Sequence, residues 1–175
     1  AEREYTYLST LPVDRISAQA WQAFIVRYPS SPLIGEANKN LQKQQTLLSD
    51  PAWTAGAQGK QMIDQSRSPA VAEGLLRRAL KQYPDDPTLY GALGMAQFRQ
   101  SRYAEANSNF TTARTKEQDT SNISKWQDLM DASRYRMLLS QGDKALELTT
   151  LPAARTAFTH ARTAKPGEAD PPIGR

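Results

Sequence analysis

The side chains of this sequence that could move a proton or hold a metal are few, and their spacing suits neither task. His160 is the single histidine. It directly precedes Ala161, a small residue on the inward stripe of a helix, so the imidazole is expected to face water rather than act as a general base. Asp85 and Asp86 form one acidic pair, and Glu168 and Asp170 form another. The first pair leads into Pro87, where Asp86 is placed to cap a helix. The second lies in a Pro-rich tail, and neither has the apolar surroundings that raise a carboxyl pKa for acid-base work. No Gly-rich phosphate loop, nucleophile motif or metal-ligand spacing is present. With no cysteine, disulfides and thiolate zinc sites are excluded, which suits either a cytoplasmic or a periplasmic setting. The expectation is a protein without catalytic residues, metal or cofactor, whose chemistry is that of a binding surface.

Charge does not direct that surface to nucleic acid. The net +4 arises from 22 basic and 18 acidic residues, and both signs are mixed along the chain. Arg77, Arg78 and Lys81 form the densest basic group, and Asp85 and Asp86 follow at once. No run approaches the roughly 18 to 20 apolar residues needed to cross a bilayer. The opening Ala-Glu-Arg-Glu-Tyr has no signal-like apolar stretch, so a soluble chain is expected.

The elements that must build the surface are helices, and they repeat. Ala72, Leu76, Ala79 and Pro84 recur 34 residues later as Ala106, Phe110, Ala113 and Gln118, and again as Ala154, Phe158, Ala161 and Pro166. Ahead of the second and third sets stand Tyr90, Leu93, Gly94 and Phe98, and then Leu138, Gly142 and Leu146. Small, large, small and breaker at these intervals resembles the tetratricopeptide repeat, a pair of antiparallel helices that buries its apolar face only by stacking on further pairs. The fold expected is all-α, a right-handed superhelix of such pairs. Ser31-Pro32, Asp50-Pro51, Ser68-Pro69 and Asp86-Pro87 read as helix starts. Tyr28-Pro29, Tyr83-Pro84 and Lys165-Pro166 read as stops. Helices are therefore predicted at 15–28, 32–48, 51–65, 69–83, 87–100, 103–116, 124–148 and 152–165, after a remnant of a preceding helix from Glu2 to Leu8.

Ala79 to Ala113 is 34 residues but Ala113 to Ala161 is 48, so 14 residues are inserted ahead of the third pair. Ser124 and Gln127 within the insert are spaced as a capping box. The predicted organisation is flanking helices over 1–48, two repeats over 49–118, an insertion over 119–132 that extends the next first helix, a third repeat over 133–166, and the start of a further repeat over 167–175. Read this way, the chain is a piece of a longer array. The overhang either presents Trp126 to a partner or packs it on Leu129 and neighbouring helices, and packing is the simpler outcome.

Gly94 and Ala106, Gly59 and Ala72, and Gly142 and Ala154 are expected to face one another where paired helices come closest. The concave face is expected from the first helices: Trp53, Gly56, Lys60, Ile63 and Asp64; Thr88, Gly91, Met95, Phe98 and Arg99; Arg136, Leu139, Asp143, Leu146 and Glu147. Gly56 and Gly91 at its floor either admit a bound chain or relieve crowding.

Specific segments narrow the family. Leu47-Leu48-Ser49-Asp50-Pro51-Ala52-Trp53 leads to Ala57-Gln58-Gly59, and Gly91-Ala92-Leu93-Gly94 precedes Tyr103-Ala104-Glu105-Ala106. Across the insertion run Lys125-Trp126, Arg134-Tyr135 and Gln141-Gly142-Asp143-Lys144-Ala145-Leu146. From Leu41 to Pro166 this series resembles the repeat region of bacterial cellulose synthase operon protein C, the cellulose exporter family. Departures are an extra residue between Ser66 and Pro69, Thr149-Thr150-Leu151, and Gln118 where proline is usual. The resemblance implies a periplasmic scaffold that links other cellulose synthase and export subunits to an outer-membrane pore, or one that guides the nascent glucan. It implies membrane association only through a β-barrel outside these residues, and it brings no catalytic residue.

Overall fold

The computed structural model describes residues 1–147 and 151–164, and among them every regular element is α-helical. The helices are α1 (Glu2–Ser9), α2 (Arg15–Arg27), α3 (Ile34–Ser49), α4 (Pro51–Asp64), α5 (Pro69–Gln82), α6 (Pro87–Arg99), α7 (Tyr103–Lys116), α8 (Thr120–Glu147) and α9 (Leu151–Ala164). This is an all-α solenoid of helix pairs. The chain divides into two compact units, residues 1–57 and 58–175.

The first unit is built on aromatic residues. Trp21 and Phe24 are fully enclosed with Leu8 and Ala37, and Tyr5 meets Trp21 and Phe24 edge-on at centroid distances of 5.2 and 6.0 Å, a favoured geometry for aromatic pairs. Glu4 fastens α1 to α2 by accepting from Arg27 at 2.8 Å and from the Tyr28 hydroxyl at 2.9 Å. The stretch read as a helix remnant is thus a docked helix.

In the second unit α5 packs on α6, α6 on α7, α7 on α8 and α8 on α9. Ala72, Ala79, Ala106, Ala113 and Ala161 are completely buried, as the repeat pattern requires. The glycines meet a different neighbour from the one expected. A Cβ on Gly94 would lie 2.6 Å from the Phe110 ring, one on Gly142 2.6 Å from Phe158, and one on Gly59 2.7 Å from Leu76. Each glycine receives the bulky residue one turn beyond the alanine. Only Gly59 also approaches the alanine position, 3.2 Å from the Ala72 carbonyl oxygen.

Helix starts divide by residue type. Asp50 accepts from the Ala52 amide at 2.8 Å and Asp86 from the Thr88 amide at 2.8 Å. Ser68 makes no side-chain cap, and Ser31 accepts from the Leu33 amide in a turn before α3, which begins at Ile34 rather than at residue 32. Ser124 and Gln127 do not form a capping box, because both lie inside α8. Asp119 instead accepts from the Ser121 amide at 2.9 Å and its hydroxyl at 2.7 Å, which starts the helix four residues early and holds the Asp119 carboxyl below its usual range. The Lys165-Pro166 stop, the Glu168–Asp170 pair and the start of a further repeat lie outside the described residues.

Helices α4 and α6 end alike. The Arg67 amide donates to the Met62 carbonyl and Ser66 to Ile63, while Arg102 donates to Gln97 and Ser101 to Phe98. These paired bonds define a Schellman ending, whose turn residue must be left-handed. Ser66 and Ser101 take that role at φ 54° and 60°, a conformation in which a Cβ is costly. Replacing Ser101 with glycine is expected to stabilise the fold by about 0.5–1 kcal/mol, with Ser66→Gly similar. A rise in the urea midpoint without a change in slope is the readout.

Glu73 on α5 is 7% exposed and lies where the α6–α7 turn meets α5. It accepts from Arg102 at 2.8 Å, from Arg77 at 2.6 Å and from Gln100 at 2.9 Å. Burial alone pushes its carboxyl up, but the bonds from Gln100 and Arg102 and the charges of Arg77 and Arg102 outweigh burial and hold it below the usual range. A depressed folded-state value means that the stability it contributes is complete above the unfolded carboxyl pKa, about 4.3. That contribution is lost as pH falls through the folded value. Glu73→Gln is expected to cost about 1–3 kcal/mol at neutral pH. It should also flatten the fall in stability below about pH 4, measured by denaturant unfolding across pH.

Candidate groove on the first helices

The groove lies entirely within the second unit and encloses about 440 Å³. Its residues come from α6, from α8 and from the last turns of α4, the first helices of successive pairs. Ile63, Ala92, Met95, Trp126 and Leu129 supply apolar lining, and Lys60, Asp64, Thr88, Arg99, Asn122 and Lys125 supply the polar groups.

Gly91 explains how the groove is formed. A Cβ there would stand 2.2 Å from two carbons of the Trp126 ring, so only glycine lets the indole of α8 lie against α6. Trp126 is 5% exposed and joins Phe110, Ala106 and Ala113 in one apolar cluster flanked by Leu129 and Met130. Its ring nitrogen donates to the Glu117 carboxylate at 3.0 Å. The indole is a seated wall and not a projecting hook. Gly91 therefore relieves crowding, for a bulky neighbour inside the fold.

The polar rim is organised on both sides. Lys60 donates to the Thr88 hydroxyl at 3.2 Å, and that hydroxyl donates to Asp86 at 2.7 Å. Arg99 donates to the carbonyl oxygen of Ile63, tying the end of α6 to the end of α4. The Lys125 ammonium sits 5.0 Å from the centre of the Trp126 ring, a cation–π distance.

Of the residues expected on a concave face, Lys60, Ile63, Asp64, Thr88, Gly91, Met95, Arg99 and Trp126 gather around this groove. Phe98 does not line it: the ring packs edge-on against Tyr103 at 5.2 Å. Arg136 and Asp143 are exposed and Leu139 and Leu146 half-buried on α8, away from the lining. Trp53 is half-buried and Gly56 buried, both in the first unit. The side chain of Glu147 lies outside the described residues. Asn122, Lys125 and Leu129 were missed because the repeat register does not extend into the insertion. Their spacing of three to four residues, in step with Trp126, is the signal that marks one helix face.

His160 is exposed on α9. Among the described residues no group of His, Asp or Glu is placed to hold a metal ion, and no helix is long and apolar enough to cross a membrane.

Across 159 residues, 90% of its length, the chain is 31% identical to the cellulose synthase operon protein C of Escherichia coli K12, of which it covers 14%. Identity to the protein of the same name from Salmonella typhimurium is also 31%, over 13% of that protein. For Xanthomonas axonopodis it is 27% over 154 residues, 10% of the relative. The chain thus corresponds to a region of this protein and spans about one seventh of the length of the enterobacterial relatives. No family model and no solved structure matches it.

Gly91→Val is expected to drive the indole of Trp126 out of its seat at a cost of about 1–3 kcal/mol. The assigned indole N–H resonance of Trp126 should move, with a red shift in tryptophan emission. An unchanged resonance would contradict the packing described.

Proposed function

We propose that this chain is a non-catalytic, periplasmic docking segment of a cellulose export protein anchored in the outer membrane. In this role its repeats hold other synthase and export subunits in place beside the pore. Similarity to cellulose synthase operon protein C over nine tenths of the chain supports the setting. The observation that carries the mode of action is the groove of α4, α6 and α8. Its wall is fixed by Trp126 on Gly91, and a formed concavity with apolar lining and a few convergent polar groups is a typical recognition site.

Guidance of the glucan along the same groove is less well supported. Sugar rings stack on exposed aromatic faces, and here the Trp126 indole is almost wholly covered while Phe98 is engaged with Tyr103. What remains accessible is a mixture of aliphatic and charged side chains, a surface composition suited to protein.

The test is retention of purified periplasmic domains of the cellulose synthase complex by the full chain, compared with Ala92→Phe, which fills the groove. Binding by the wild type, weakened at least about tenfold in the variant at unchanged helicity and melting temperature, is expected. Equal retention by both would remove the groove from the docking surface. Saturable shifts of groove resonances with cello-oligosaccharides, and no retention of any protein domain, would favour glucan contact instead.

A further inference from the structure

The chemistry of the groove identifies the partner class more closely. Lys60, Arg99 and Lys125 bring three positive charges to its rim, against the single carboxylate of Asp64. The whole chain is much closer to balance, at 22 basic to 18 acidic residues, so the excess is local. Between the cations the lining is apolar, from Ile63, Met95 and Leu129. Thr88 and Asn122 add neutral hydrogen-bonding groups.

We propose that the groove binds an acidic segment of a partner protein, in which one apolar side chain is flanked by aspartates or glutamates. The apolar side chain enters between α6 and α8 against Met95 and Leu129, and the flanking carboxylates meet Lys60 and Arg99 on one side and Lys125 on the other. This rests on the docking function proposed above and specifies its ligand. Charge complementarity favours this occupant: a basic segment would meet like charge at three of four ionic positions, and like-charge contacts are what interfaces use to reject a wrong partner. Size agrees. One turn of helix about 10 Å across and 5.4 Å high fills roughly 420 Å³, so a groove of about 440 Å³ takes a short segment and not a whole domain. Lys125 comes from the inserted residues, so recognition of an acidic partner belongs to the insertion.

The experiment uses the full chain and a short synthetic peptide of alternating glutamate and leucine, followed by amide NMR and calorimetry. Controls are the same peptide with glutamine for glutamate, and polyglutamate. The acidic–apolar peptide should shift the resonances of Lys60, Met95, Arg99, Lys125 and the Trp126 indole, and bind at least about tenfold more tightly than the glutamine analogue at low salt. Lys125→Glu, a change at an exposed position, should abolish that preference while the melting temperature stays the same. The proposal is overturned if the glutamine analogue binds equally well, if polyglutamate binds equally well and the contact is electrostatic alone, or if the shifts lie outside the groove. Retention of synthase domains with no binding of the peptide overturns the acidic ligand and leaves docking standing. Loss of both removes docking itself, and peptide binding without domain retention keeps the acidic site while rejecting those domains as its partners.

Discussion

A bulky side chain from the second helix of each pair seats where the first helix carries glycine: Leu76 at Gly59, Phe110 at Gly94, Phe158 at Gly142. The constraint is steric and admits little compromise, because a Cβ at any of these glycines would come within 2.6 to 2.7 Å of the seated side chain. A glycine inside a helix costs about 1 kcal/mol relative to alanine. An enclosed aromatic ring, burying about 150–250 Å², returns up to about 4–6 kcal/mol by area. Burial outweighs propensity, and the fully buried alanines on either side then pack as close contacts between pairs.

Helix α6 carries the device twice. Gly91 and Gly94 are three residues apart and so lie on neighbouring turns. One receives Trp126 from α8 and the other Phe110 from α7, and both rings belong to the same cluster. That cluster ties the groove to the core, so the indole wall cannot shift without disturbing the contact between α6 and α7. A site whose wall is continuous with the core needs little ordering when a partner arrives, which leaves more of the interaction energy for affinity.

Much of this was legible in the residues. The alanine stripes and the proline stops at Tyr28 and Tyr83 mark which segments are helices and which faces are inward, since period and backbone constraint are local. The length of the insertion was readable as well, from the spacing of Ala113 and Ala161. Legibility failed where a local signal had to compete with a neighbour. Ser31-Pro32 and Ser68-Pro69 read as caps just as Asp50-Pro51 and Asp86-Pro87 do, yet only the aspartates bond to their helix. The Ser124–Gln127 spacing lost to Asp119, which lies four residues ahead of the predicted start of α8 and captures the first amide. The role of Gly91 was invisible because its partner is 35 residues away, on the one element whose register the repeat does not set. The aromatic packing of Tyr5, Trp21 and Phe24 likewise depends on how α1 docks, and no period encodes that.

The insertion changes what a repeat array can recognise. In a regular array each first helix offers the groove the same register positions, so the lining varies only by side-chain identity. Here α8 begins 28 residues before its last described turn, and its first turns carry Asn122, Lys125, Trp126 and Leu129 past the register at which an ordinary first helix starts. The groove is therefore built from two standard helices and one displaced one. Its apolar lining draws on all three, whereas the cation closest to the indole comes from the displaced helix alone. Selectivity of this region accordingly resides in the inserted residues, and the repeats on either side hold them at the right distance from α6.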